Sequence, residues 1–313
     1  MNRHLAAGLT VLAGTILATA QEPSEIEKKQ IAFAESALAK VGIEKPVIVE
    51  TEGFRFIGTI SKDKATALSK SLGKYVGTSA KLAHYKDDEK PWLGKPTVFF
   101  IAERTKYANF VRNNEERRAE SDEKSSMNVK GETPYVAIST EGVKPAEMEA
   151  KLIEEFEDAV LTRKVGGIAK FPVWFLEGFH KLVSLKTVPA NYAQFRNNMK
   201  AKFGPKGIWY GMELRYATGE LYPTDRKMDA KDELIVRASF VDYLLNGVPE
   251  SKADAALNSF RITDEMPMPG TMGLAALVDV KEGESWATKL ETGWKSWYVA
   301  AKETPKKDPK SKN

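Results

Sequence analysis

Between positions 151 and 185 the chain gathers most of the side chains that could do chemistry. Glu154, Glu155, Glu157 and Asp158 put four carboxylates into five consecutive positions of the run KLIEEFEDAVLTR. If that run is helical, Glu154 and Asp158 are four apart and point the same way. Like charges at that spacing repel by a few tenths of a kcal/mol in water. Such a group is tolerable as an exposed acidic face and unfavourable inside a closed site. Downstream, in FPVWFLEGFHKLVS, Glu177 and His180 are three apart and can share a face, as in a Glu-x-x-His cation pair. Glu177 can equally pair with Lys181 at i+4. The chain has three His and no Cys, which excludes thiolate nucleophiles, Cys-zinc and iron–sulfur sites, and nearly excludes any centre needing several imidazoles. His84 lies in a polar turn and is given no role.

The elements that would position these residues are read from periodicity. Leu152, Ile153, Phe156, Ala159 and Val160 form the packed stripe of a helix expected from Pro145 to Arg163, and Pro172 starts a second running from Val173 to Lys186. A third, Asp232 to Asn246, is apolar on most sides and therefore buried. A last one, from Ser285 to Ala301, spaces Trp286, Leu290, Trp294 and Trp297 as a docking face. Residues 203–231 read as a long irregular stretch in which Tyr210, Tyr216 and Tyr222 could line a cleft. Upstream, Ser24-Glu25-Ile26-Glu27 is a capping box opening a helix to about Val41. Residues 47–60 are β-branched and aromatic with a turn or bulge at Gly53, and Ser61 caps a helix whose stripe is Ala65, Leu68, Leu72, Tyr75 and Val76. Thr97–Ile101 and Tyr135–Ile138 read as short buried strands. A helix around Tyr107, Phe110 and Val111 lies between them and gives way to a charged, irregular stretch over 113–126. The expected class is α+β: a mixed α/β layer over 21–144 and a mainly helical part over 145–300.

Composition bounds the rest. With 313 residues, 42% apolar and 29% charged, the chain has ample material for a core. Residues 1–20 carry Arg3, an apolar run over 5–19 and a small-x-small end at Ala18-Thr19-Ala20. That pattern predicts a signal peptide cleaved after Ala20, hence an exported protein, periplasmic or secreted. The run is too short to span a bilayer, so no transmembrane span is expected after its removal. The formal net charge is +4, but Arg3 and the five Lys of residues 301–313 account for the excess. The body is balanced and no nucleic-acid partner is expected, while 301–313 reads as a disordered basic tail.

An amphipathic helix, a linker of about ten residues and a W-F-L-E-G-F segment, with the 23-residue step from Glu154 to Glu177, together resemble the gluzincin metallopeptidases, in particular the exported peptidase-MA-like group. In that family HExxH supplies two zinc-binding His and a general-base Glu, and the W-x-x-E-G Glu is the third ligand. The resemblance places EEFED over HExxH. Glu155 falls at the general-base position, Glu154 and Asp158 at the two His positions, and Glu177 at the third ligand, with Trp174 and His180 as cleft candidates. The family's Tyr and Gln on the buried helix correspond to Leu234 and Val236.

The resemblance therefore implies a catalytically degenerate gluzincin that binds a peptide or protein segment in its former active cleft or serves a structural role at the envelope. No cofactor is expected. Three carboxylates form a hard, oxygen-only set, poor for zinc and for activating water, and suited to Ca²⁺, Mg²⁺ or Mn²⁺ if any ion enters. The alternative is an active metal-dependent hydrolase with an unusual carboxylate-rich ligand set and Glu155 as base.

Overall fold

The computed structural model describes residues 24–129, 134–166, 169–209, 211, 213–218, 228–262 and 271–300. The expected signal peptide, the basic tail, Tyr210 and Tyr222 lie outside them. The protein is α+β: a five-stranded mixed sheet flanked by helices, continuing into a mainly helical part.

Helix α1 (Glu25–Ala39) opens on the complete capping box of Ser24 and Glu27. The expected strand at 47–60 is a hairpin of β1 (Val47–Glu50) and β2 (Arg55–Gly58). The Thr51 hydroxyl closes its turn by donating to the Phe54 carbonyl and accepting from the Phe54 amide. Helix α2 (Lys62–Leu82), capped by Ser61, crosses to β3 (Thr97–Ile101), and α3 (Arg104–Glu115) follows. Sequence reading leaves the next segment irregular, yet Ser125–Asn128 forms β4, antiparallel to β5 (Tyr135–Ser139). A local polar network sets it there. Arg117 bridges Glu115 and Glu123, Tyr107 donates to Glu123 at 2.8 Å, and Ser126 donates to Glu115 at 2.8 Å.

The sheet order is β1-β2-β3-β5-β4, with β2, β3 and β5 parallel and both edge strands antiparallel. Side chains alternate across it. Ile57, Phe99, Ile101, Tyr135 and Ala137 face one way, into a cluster with α1 and α3. Phe56, Val98, Phe100, Val136 and Ile138 face the other way, into a core that runs unbroken from the sheet into the helical part.

That second face receives α4 (Pro145–Lys164), whose Phe156 packs edge-on against Phe54 with ring centroids 5.2 Å apart. Beyond it come α5 (Val173–Thr187), α6 (Pro189–Phe203), the short α7 (Leu214–Thr218), α8 (Ala230–Asn246), α9 (Glu250–Asn258) and α10 (Trp286–Ala300), with a 3-10 stretch at Thr271–Leu277. Sequence reading misses α6, α7 and α9. Helices α5 and α8 cross closely because position 178 is glycine: a Cβ there would stand 2.8 Å from the Arg237 carbonyl oxygen and 2.8 Å from the Val241 methyl. In α10, Leu290, Trp294 and Tyr298 are the fully buried positions. No helix among the described residues is long and apolar enough to cross a membrane.

Candidate functional site

Helices α4, α5 and α8 enclose a pocket of about 470 Å³ lined by Glu154, Glu177, His180, Lys181, Ala230, Glu233, Leu234 and Arg237. The acids of α4 meet different surroundings because they fan around the helix by about 100° per residue. Glu154, at the pocket, is partly exposed and pairs with Lys151 at 2.7 Å, one turn before it. Glu155 turns toward the sheet edge, where the Ser125 hydroxyl of β4 donates to it at 2.6 Å. Burial pushes its carboxyl up to about 7, the serine hydrogen bond opposing the rise and the Asp158 charge adding to it.

Glu157 corrects the reading of this helix as an exposed acidic face. It is 1% exposed, and neither carboxylate oxygen has a hydrogen-bond partner among the described residues. Burial, reinforced by Asp158 and Glu154, pushes its carboxyl up to about 10, so it is protonated and neutral at neutral pH. Across helices, His180 Nε2 lies 3.9 Å from its Oε2. The same Nε2 lies 2.7 Å from Asp158 Oδ1. An Asp158–His180 pair thus ties α4 to α5 at the pocket wall.

Glu177 does not take Lys181. Arg237 of α8 donates from Nη1 to Glu177 of α5 and from Nη2 to Glu233 of its own helix, so one guanidinium joins α5 to α8 while holding both carboxylates. The i,i+4 half of this arrangement, Glu233 with Arg237, was readable from spacing alone. The cross-helix half was not.

The expected ligand positions therefore do not converge. Glu154 faces Lys151, Asp158 faces His180 and Glu177 faces Arg237, and among the described residues no three His, Asp or Glu side chains are grouped to hold an ion. These residues do not fit zinc: the one imidazole at hand directs Nε2 to a carboxylate, and a fixed cation stands against Glu177. Trp174, expected at the cleft, is instead 3% exposed and packed against Phe240 with centroids 5.5 Å apart. Its place in the first turn of α5 turns it inward. His180 and Leu234 do line the pocket, Val236 is fully buried, and Tyr216 packs against the core. His84 has a structural partner, with Nε2 2.6 Å from the Leu245 carbonyl oxygen.

Sequence reading also missed a second polar centre. Asp242, fully buried on α8, accepts hydrogen bonds from Tyr192 (3.0 Å), Tyr298 (2.9 Å) and Asn246 (2.9 Å). Lys186 and Arg196 stand 3.8 and 3.6 Å away. Burial pushes the Asp242 carboxyl up, and the two cations and the hydrogen bonds pull it back. An acid inside the apolar run Phe240–Leu245 (FVDYLL) of that helix was the available signal. This centre joins α5, α6, α8 and α10 and lies outside the pocket lining.

Comparisons of the chain with protein-family models, with curated proteins and with solved structures gave no match in any of the three.

Proposed function

We propose that this is an exported, catalytically degenerate gluzincin-like protein that holds a peptide or protein segment in the pocket between α4, α5 and α8. The observation that carries the reading is the guanidinium of Arg237 on Glu177. The position the resemblance assigns to a metal ligand is already paired with a cationic side chain, while a pocket of about 470 Å³ with two apolar wall residues, Ala230 and Leu234, stays open beside it. A pocket of this size, lined by six charged or polar side chains beside Ala230 and Leu234, suits a short polar stretch of chain.

The alternative, an active hydrolase, is favoured by one observation, the Glu155 carboxyl held near neutrality as a general base would be. Against it, Glu155 is bonded to Ser125 and is not among the pocket-lining residues.

Fluorescein-labelled β-casein, an unfolded chain, tests both readings. The proposal expects a saturable rise in anisotropy that Leu234→Asp weakens about tenfold, and no cleavage with or without added Zn²⁺. Zinc-stimulated cleavage that disappears in Glu155→Gln would replace it with the hydrolase. Binding indifferent to Leu234→Asp, or no binding, would leave a scaffold without a working pocket.

A further inference from the structure

We propose that the face formed by the C-terminal ends of α6 and α10 is a docking surface for an anionic lipid bilayer, with Ile208 as the side chain that enters it. The proposal does not depend on what the pocket between α4, α5 and α8 holds.

Helix α6 ends at Phe203, and the chain turns through Gly-Pro-Lys-Gly before Ile208 and Trp209. The turn is closely fastened. The Gly207 amide donates to the Gly204 carbonyl at 2.8 Å, and the Trp209 amide reaches back to the Lys202 carbonyl at 2.9 Å. A Cβ at Gly207 would stand 2.1 Å from that same Lys202 oxygen, so the turn closes this tightly only on glycine. Trp209 is buried against Phe203, with ring centroids 6.0 Å apart. Ile208, between these two fixed points, is directed outward. At 71% it is the most exposed large hydrophobic side chain among the described residues. Beside it lies a hollow of about 670 Å³ between the turn and α10, walled by Ala201, Pro205 and Val299 with Lys200 and Lys206 at the same wall, and no acidic side chain lines it.

An apolar tip among lysines is the pattern of an interfacial contact: the tip enters the boundary between headgroups and acyl chains, and the ammonium groups meet anionic headgroups. Lysine stems lie along apolar surface while their charged ends reach outward, so both functions fit on one small face. Lys202 is excluded from this set, being paired with Asp232 at 3.0 Å and placed over the Trp209 ring. The positive charge continues past α10, which ends at this face on Val299 and Ala300. Residues 301–313 follow directly and carry five Lys against Glu303 and Asp308. The charge excess of an otherwise balanced chain is thus delivered beside its most exposed apolar side chain. An acidic protein would answer the lysines and leave Ile208 in water, and a neutral apolar partner would do the reverse. An anionic bilayer answers both, and the fastened turn means that docking there orders little new chain.

The test is co-sedimentation with sucrose-loaded vesicles of phosphatidylcholine containing about 30 mol% phosphatidylglycerol. The protein used is the chain from Gln21 onward, which keeps every described residue and leaves out the apolar run over 5–19 that would itself enter a bilayer. In about 0.1 M NaCl, half of it should be bound at an accessible lipid concentration on the order of 1 mM. Pure phosphatidylcholine should bind at least about tenfold less, and about 0.5 M NaCl should remove most of the binding. One charge at an anionic surface changes partition about fivefold, so Lys206→Glu, a change of two charges, should weaken it about 20-fold. Ile208→Ser should weaken it about tenfold. Ile208→Trp keeps an apolar tip suited to the headgroup region and should bind at least as tightly as wild type; a loss as large as that of the serine variant would overturn the proposal. Both positions are exposed, and unchanged far-ultraviolet circular dichroism checks that the variants fold. Absence of binding, or equal binding to neutral vesicles, would overturn the proposal. Binding indifferent to Ile208→Ser and Lys206→Glu would also overturn it, leaving attachment by residues 301–313 alone. Retention on immobilised poly-glutamate as strong as on the vesicles, and insensitive to Ile208→Ser, would make the partner an acidic chain instead.

Discussion

Glu157→Gln isolates a buried carboxyl that has no hydrogen-bond partner among the described residues. The carboxyl is protonated in the folded state, with a value near 10, and ionises near 4.5 when exposed. Between those values the folded chain holds one proton that the unfolded chain has lost. Unfolding stability therefore falls as pH rises, by about 1.4 kcal/mol per pH unit. From pH 5 to pH 8 that is at most about 4 kcal/mol. Water entry and movement of the facing groups, His180 at 3.9 Å together with Asp158 and Glu154, reduce it, so a realistic range is about 1–4 kcal/mol. Glutamine has nearly the same shape and cannot ionise, and its unpartnered amide adds an offset that does not depend on pH. Urea unfolding of both proteins at pH 5, 6.5 and 8 should show a difference that grows with pH in favour of the variant. A difference constant across the three pH values would refute the assignment of Glu157 as a buried neutral acid.

Three further outcomes follow from the same geometry. Gly178→Ala places a methyl 2.8 Å from the Arg237 carbonyl oxygen. Overpacking of about 1–3 kcal/mol exceeds the roughly 1 kcal/mol that alanine adds to a helix, so the variant should unfold at lower urea, and an unchanged or raised midpoint would contradict the tight crossing. Asp242→Ala strands Lys186 and Arg196 and removes the acceptor of three hydrogen bonds. A loss of about 3–5 kcal/mol is expected, and a loss below about 1 kcal/mol by chemical denaturation would show that the centre carries no such charge balance. Ser125→Ala removes the hydroxyl that holds the Glu155 carboxyl down, so its titration, followed by carbon NMR of the labelled side chain, should move above 7; a downward move would show that burial is not the dominant cause.

Helices with local signals were legible and those without were not. Ser24, Ser61 and Pro145 mark the starts of α1, α2 and α4 through side-chain oxygens or a fixed φ, all properties of neighbouring residues. Strand β4 has the sequence Ser-Ser-Met-Asn, with no β-branched or aromatic residue, and exists because β5 and the Arg117 network hold it. Helix α6 hides its apolar positions among Asn, Gln, Arg and Lys, so its stripe of Phe195, Met199 and Phe203 was lost inside a stretch that reads as polar. At the pocket, the shared direction of Glu154 and Asp158 followed from helical spacing, but their partners Lys151 and His180 depended on rotamer and on packing of α5. Glu157 did carry a signal. Ile153 and Leu161 flank it at i−4 and i+4, so the acid sits in an apolar row, and a carboxylate in such a row must be buried with a proton or with a partner.

The four acids of the run meet unlike partners: an ammonium one turn earlier for Glu154, a serine hydroxyl from the sheet edge for Glu155, a retained proton for Glu157, and an imidazole from α5 for Asp158. Carboxylates that share one object, whether a metal ion or a substrate proton, must have their oxygens within a few ångströms of a common point. Side chains that fan across more than a third of a helix circumference have no such point unless a neighbouring element supplies it. His180 comes nearest to supplying one, at 2.7 Å from Asp158 and 3.9 Å from Glu157, and its Nε2 carries at most one proton between them. The acidic run therefore behaves as separate electrostatic contacts that fasten α4 to the sheet edge and to α5. The pocket beside it is left to be shaped by Arg237, Glu177 and Glu233, which meet across the α5–α8 crossing.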